Sequence, residues 1–326
     1  MKFILKSFLL LCLCAITCLA NANDRDIADK LYEQGKIREA LQIYMKPEYR
    51  KDSLIQNRIG NVYLKPGFKD EKKSVEWFRK SADQGNMYGQ YNLGLMYKQG
   101  KGVKQDYQQA FDWFSKAAEQ GNAQAMTALG NMYDDGTGVE KDEFQAVEWY
   151  VKAAQKGDLV GQCNAAGIFT HSTTIKKDYH NARVLLEYCL KGNPSDDCCL
   201  ERMAVLYSKG WGVEQDRKKA HELRTKAATN GNEVAMYMLA SDFDYGIGVE
   251  KDPKAAMDWY LKAAVKDHAR SMYRLYEIYE YGKLGQPVDK TKAKEWKTKA
   301  EKAMKTQGLS RNEAEDRMRL KMEEQE

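Results

Sequence analysis

Residues 123–158 read AQAMTALGNMYDDGTGVEKDEFQAVEWYVKAAQKGD, and nearly the same line of residues precedes and follows them. Gly94, Gly100, Gly102, Val103, Asp106, Ala110, Trp113, Ala117, Ala118 and Gly121 recur 36 positions later as Gly130, Gly136, Gly138, Val139, Asp142, Ala146, Trp149, Ala153, Ala154 and Gly157. Self-similarity at a fixed period of roughly 20 to 50 residues marks a stacked array of supersecondary units. Inside the unit, Ala125, Ala128, Leu129, Met132 and Tyr133 fall at helical spacing, as do Ala146, Trp149, Tyr150 and Ala153. Each unit is therefore expected to be two short helices. The glycines of Asp134-Asp135-Gly136-Thr137-Gly138 end the first helix, and Asp142 caps the second with Gln145 as capping-box partner. Asp106 with Gln109, and Asp252 with Pro253 at the first helical position, repeat that logic. Gly130 and the alanines are expected to allow close helix approach, with Trp149 and Tyr150 filling the gap to the neighbour.

The run A-x-x-L-G-x-M-Y-x-x-G-x-G-V-x-x-D, followed by A-x-x-W-Y-x-K-A-A-x-x-G, resembles the Sel-one-like repeat family, a variant of the tetratricopeptide class. The resemblance implies an all-α fold, an α/α superhelical solenoid of stacked helix hairpins whose first helices line a concave face. It covers residues 53–303, which divide into about seven units. Residues 53–86 keep Gly60, Tyr63, Trp77, Ser81, Gly85 and Asn86 but carry Lys65-Pro66-Gly67 where other units have Gly-x-Gly, so a different turn is expected there. Residues 159–193 are degenerate: Ser172 to Thr174 replaces the glycine turn, and Leu185-Leu186 stands near the usual aromatic pair. The pattern returns at 202–232, 233–268 and 269–303. Residues 23–52 read as a tetratricopeptide-like hairpin capping the end of the array. Residues 304–326 read as a charged C-terminal helix or tail, with a capping box at Ser310 and Glu313.

Residues 1–22 have Lys2 and Lys6, an apolar centre and Ala20-Asn21-Ala22, the pattern of a secretory signal peptide cleaved after about Ala22. Cys18 lacks the residues that normally precede a lipidated cysteine. No later run approaches the roughly 20 apolar residues of a membrane span, so a periplasmic or secreted chain is expected. Formal charge is +5; without Lys2 and Lys6 the chain has 50 basic and 47 acidic residues, too near balance to argue for nucleic acid. A monomer is expected.

Of seven cysteines, Cys163, Cys189, Cys198 and Cys199 lie beyond the leader, and an even number in an oxidising compartment argues for disulfides. Cys189 falls near the end of a second helix and Cys198 and Cys199 near the start of the next first helix, leaving either as its partner. A cysteine-rich bacterial branch of the family has bridges in this kind of place. That resemblance favours Cys189 with Cys198 and Cys163 with Cys199, although here eight or nine residues intervene rather than seven. The competing reading, a metal site from Cys163, His171, His180 and Cys189, has spacings unlike structural zinc. His221-Glu222 lacks the second histidine of a zinc protease helix. His268 takes the usual asparagine position in a turn. No cofactor or metal is expected.

Some members of the cysteine-rich branch bind or hydrolyse β-lactams, which makes an acyl-enzyme the alternative function. No serine here has lysine three residues on, and no G-x-S-x-G elbow occurs. The expectation is a protein without catalysis. What varies between units is an outward stripe on each first helix: Tyr88, Tyr91, Leu95 and Lys98; Gln124, Thr127, Asn131 and Asp134; Val234, Tyr237, Ser241 and Asp244; Arg270, Tyr273, Glu277 and Glu280. Either these are ordinary helix faces with some tyrosines in the core, or exposed Tyr91, Tyr237 and Tyr273 anchor a protein or peptide partner. The acidic residues of the later units would favour a basic one. The family resemblance permits an envelope adaptor, a secreted host-interacting factor or an antagonist of a toxic enzyme.

Overall fold

The structure is a computed structural model describing residues 24–306. The expected leader and the Ser310–Glu313 box lie outside the described residues. The helices are α1 (24–33), α2 (Ile37–Tyr44), α3 (Ser53–Val62), α4 (Glu71–Asp83), α5 (Met87–Gln99), α6 (Tyr107–Glu119), α7 (Ala123–Asp135), α8 (Glu143–Gln155), α9 (Leu159–His171), α10 (Tyr179–Gly192), α11 (Asp197–Lys209), α12 (Arg217–Asn230), α13 (Glu233–Tyr245), α14 (Pro253–Val265), α15 (Ala269–Tyr281) and α16 (Lys290–Thr306). The described residues contain no strand, and the fold is an all-α solenoid of helix hairpins. Two compact units meet in sequence at Gly161 and Gln162, inside α9.

Apart from α2, which follows Lys36 and has no side-chain cap, the helices from α3 to α15 start where a side chain accepts the free N–H groups of the first turn. Asp70, Asp106, Asp142, Asp178, Asp216 and Asp252 cap the second helices α4 to α14. Asn86, Asn122 and Asn232 cap first helices α5, α7 and α13. The carboxylates of Asp106 and Asp142 accept the backbone N–H of Gln109 and Gln145 at 3.0 and 3.1 Å. His268 caps α15, its Nδ1 accepting the Ser271 N–H at 3.3 Å. The cap aspartate also closes the turn behind it. Its own N–H donates to the carbonyl of a ring residue in the preceding helix: Asp70 to Tyr63 at 2.8 Å, Asp106 to Tyr97 at 3.1 Å, Asp142 to Tyr133 at 2.9 Å and Asp178 to Phe169 at 2.9 Å. That bond survives in the two units whose turns depart from Gly-x-Gly. In the first, α3 stops early and Gly67 bends the chain at φ +81°. In the degenerate unit, Ser172 Oγ accepts the N–H groups of Thr174 and Ile175 at 3.0 and 2.7 Å.

Between the helices of a hairpin, one ring meets one missing side chain. Phe78, Phe114 and Tyr150 are fully buried, and a Cβ on Gly130 would come within 2.5 Å of the Tyr150 ring. Tyr150 is thus the core residue of the aromatic pair, whereas Trp149 lies at the edge with the Lys152 ammonium 4.3 Å from its ring centre. The second glycine of the turn has two duties. Gly138 takes φ +75°, and a Cβ there would meet the backbone and side chain of Tyr107, the first residue of the preceding repeat's second helix, at 2.8–3.0 Å.

Gly130→Ala is expected to destabilise the chain by about 1–3 kcal/mol through overpacking. Gly157→Ala, at φ +85° with open space around it, should cost only about 1 kcal/mol. Urea unfolding followed by circular dichroism ranks the two.

Candidate binding face

Counting each first helix from its cap places every predicted recognition residue in a definite register. Leu54, Tyr88, Gln124 and Val160 are the second residues of α3, α5, α7 and α9. Leu54, Tyr88 and Val160 expose 37%, 46% and 55% of their surface, and Val234, at the same place on α13, exposes 40%. The amides of Asn57 and Asn92 join α3 to α5 on the same face at 2.7 Å.

The fifth residues behave differently. Tyr91 packs against Phe114 with ring centres 5.7 Å apart, and burial, reinforced by Asp158, pushes its hydroxyl pKa up. Thr127 is buried and donates to the Asp158 carboxylate at 2.8 Å. Tyr237 is buried between Tyr260 and His268, with ring centres 5.8 and 5.1 Å away, and burial raises its pKa. The expectation that Tyr237 is an exposed anchor is therefore corrected: the fifth position points at the next repeat and is used for stacking. Tyr273 is half-buried, edge-on to Tyr276 at 5.2 Å. Leu95 is half-buried against the cluster around Phe114. Asn131 accepts from the Tyr150 hydroxyl at 2.6 Å, and Asp134 is half-buried near the end of α7.

Asp244 and Glu277 converge on a residue that sequence reasoning missed. Arg274 donates Nε and Nη2 to Asp244 at 3.2 and 2.8 Å and Nη1 to Glu277 at 2.8 Å. Burial is the largest single influence and works against its charge, but Asp244, Tyr245, Tyr260 and Glu277 together outweigh it, so the guanidinium is held firmly protonated. Both carboxylates are thus engaged by a buried cation. The signal in the sequence was an arginine one residue past the stripe, where α13 carries Met238.

A second buried charge cluster occupies framework positions. Asp242 is 1% exposed and Arg224 2%, with Nη1 to Oδ1 at 2.6 Å, and His221 Nδ1 lies 3.2 Å from Oδ2. In other repeats the equivalents of Asp242 are Met96, Met132 and Leu206, and those of Arg224 are Phe78, Phe114, Tyr150 and Tyr260. An ion pair has replaced an apolar pair, and the Arg224 Nε has no hydrogen-bond partner among the described residues.

The four cysteines form two disulfides, Cys163–Cys198 and Cys189–Cys199. The favoured pairing of Cys189 with Cys198 and Cys163 with Cys199 is wrong, for a reason of register. The third residue of a first helix lies against the eleventh residue after the preceding second-helix cap: a Cβ on Gly161 would meet the Ala153 Cβ at 2.8 Å. Cys199 and Cys189 stand at those two places. Cys198 turns by one residue toward α9 and meets Cys163. Cys189, Cys199 and Asp196 bring ligand atoms within 4.8 Å of one another, but both sulfurs are committed to a bond. The alternative metal set is split, since Cys163 and Cys189 belong to different disulfides.

The fold and this face define a helical repeat protein whose variable surface lies on its first helices. The Sel1 repeat model matches residues 56–86, 88–122, 123–158, 199–232, 234–268 and 269–303, and the chain belongs to that family. The unmatched stretch, 159–198, holds α9, α10 and the disulfide cysteines Cys163, Cys189 and Cys198. Among solved structures, a Sel1 repeat protein from Oxalobacter formigenes is 31% identical over 86% of this chain and 99% of its own, with a TM-score of 0.49. The protective antigen c5321 of uropathogenic Escherichia coli, which has an SLR fold, is 27% identical over 84% of this chain, with a TM-score of 0.57; the match spans 64% of that antigen, just under two thirds. Cysteine rich protein B of Helicobacter pylori is 26% identical over 41% of this chain and 94% of its own, with a TM-score of 0.33. No curated protein matches the chain.

Replacing Arg224 or Asp242 alone, by Tyr or Met respectively, strands a buried charge and is expected to cost about 3–5 kcal/mol. Arg224→Tyr with Asp242→Met restores the apolar pair of the other repeats and should lie within about 1 kcal/mol of the native chain or above it. Chemical denaturation of the three variants checks this.

Proposed function

We infer that the chain is an extracytoplasmic interaction scaffold that holds a protein or peptide on the first-helix face of its N-terminal unit. The observation that carries the reading is the row Leu54, Tyr88 and Val160, exposed at one register on helices whose other large apolar residues are buried or half-buried. Water selects against such a row unless something covers it. Tyr88 supplies a large contact at low conformational cost, and Leu54 and Val160 flank it with aliphatic surface. Membership of the Sel1 repeat family, whose repeats generally serve protein interaction rather than catalysis, supports the same class. Two disulfides suit an oxidising compartment, in keeping with the leader pattern of residues 1–22. The charged clusters are packed between helices, which favours binding over turnover.

The test is a crosslinking capture from envelope extract with the native chain and with Leu54→Ser/Tyr88→Ser/Val160→Ser. All three residues are exposed, so helical circular dichroism should be unchanged while the specific capture falls at least about tenfold, as for loss of one interface hot spot. Equal capture by both chains sinks the assignment of this face. Hydrolysis of a chromogenic β-lactam by the purified chain would replace the scaffold reading with the enzymatic one.

A further inference from the structure

The two disulfides have opposite surroundings. Cys189 and Cys199 are fully buried, and the Asp196 carboxylate lies within 4.8 Å of both sulfurs. A negative charge there opposes a thiolate. In the other bridge Cys163 is 1% exposed, but Cys198, on the first turn of α11, is partly open to solvent. Its two sides carry different charges: Arg202, one turn further along α11, donates Nε to Cys163 Sγ at 3.0 Å, while the Asp197 carboxylate accepts the Cys198 N–H at 3.1 Å, so the cation stands on the Cys163 side. A separate feature makes room for it. Gly167 lies in the middle of α9, where glycine costs about 1 kcal/mol relative to alanine, and a Cβ there would come within 2.5 Å of Arg202 Nη1. The equivalent residues of α5 and α7 are Leu95 and Asn131. A side chain has been given up on α9 in favour of the guanidinium beside the sulfur.

We propose that Cys163–Cys198 is a thiol-exchange site that takes a dithiol reductant, while Cys189–Cys199 is the permanent staple of the same junction. The thiolate of the reductant attacks Cys198 Sγ, the accessible sulfur, forming a mixed disulfide. The Cys163–Cys198 bond breaks and its electron pair leaves on Cys163 as a thiolate held by Arg202. The second thiolate of the reductant then attacks its own sulfur in the mixed disulfide, releasing Cys198 as a thiolate that takes a proton from water. The reductant ends as a disulfide and the bridge as the Cys163 thiolate, held by Arg202, and the Cys198 thiol. Direction follows from access and from the leaving group, since a cation beside Cys163 lowers the basicity of the departing thiolate. Opening this bridge unties α11 from α9 and leaves it tied to α10, so the junction loosens without losing its fold.

The experiment treats the full folded chain with limiting dithiothreitol, alkylates it at intervals and assigns each cysteine by peptide fragmentation. Cys163 and Cys198 should be labelled first, with Cys189–Cys199 intact. Glutathione in place of dithiothreitol should leave its mixed disulfide on Cys198. Arg202→Met should slow the first opening about three- to tenfold, from the dependence of exchange on leaving-group basicity, and Arg202→Lys should recover part of that rate. Opening of Cys189–Cys199 first or of both together, a mixed disulfide on Cys163, or an unchanged rate in a folded Arg202→Met chain would each overturn the proposal. If Arg202→Met does not fold, the order of opening in the native chain and the Arg202→Lys rate decide alone. None of these readouts depends on a binding partner.

Discussion

The rest of the structure depends on how closely one hairpin can lie against the next. A two-helix unit of this size cannot cover its own apolar surface, so its stability resides in the contact with its neighbour. That contact is set by absences. Within a hairpin Gly130 leaves room for the Tyr150 ring; between hairpins Gly138 leaves room for the backbone of the preceding second helix and Gly161 for Ala153. Because backbones touch at these points, the spacing is stiff, and the repeat keeps its 36-residue period over the best units. The hydrogen bond from each cap aspartate to the ring residue behind it fixes the hairpin angle, which is why two units with quite different turn sequences still stack.

Most of the fold was legible because turns, caps and close contacts are local. Asp106, Asp142 and Asp252 announce helix starts, Gly-x-Gly announces the turn, and a glycine two turns before the aromatic pair's turn announces its packing partner. Even the degenerate unit could be recognised, with Ser172 replacing glycine and Leu186 standing where Tyr150 stands. What failed was everything that needed the angle between neighbouring helices. Cys198 and Cys199 differ by one residue in distance from Cys189, and their rotation about α11 decides which of them meets it. Tyr237 looks outward on a lone helix and is buried once the cap of α15 covers it. Arg274 escaped notice because its partners belong to two different repeats.

Charge has entered this framework where hydrophobic packing would have served. The Arg224–Asp242 pair replaces an aromatic ring and a methionine, and Arg274 draws Asp244 and Glu277 into the space between α13 and α15. Such pairs gain little net stability over apolar packing, since desolvation cancels most of the attraction. They do discriminate. An array of near-identical hairpins could stack in a wrong register at small cost, whereas a shifted register would leave Arg224 or Asp242 buried without its counter-charge. A shifted register would thus cost more at these junctions than at the apolar ones, and even in the native register the Arg224 Nε is left without a partner among the described residues.

The same division of labour runs through the first-helix face. Its fifth positions are absorbed by stacking, as with Thr127, Tyr91 and Tyr237, and in α9 that position is Cys163, where stacking has become covalent. Its second positions are free of that duty in α3, α5 and α9, and there the side chains are apolar and exposed. In α11 the second position is Cys198, bonded back to Cys163, so this one junction joins the packing row to the outward row. A single chemical bond thus links a position that packs one repeat on the next to a position at the outward edge of its helix. It lies in the stretch, 159–198, that the repeat pattern does not match.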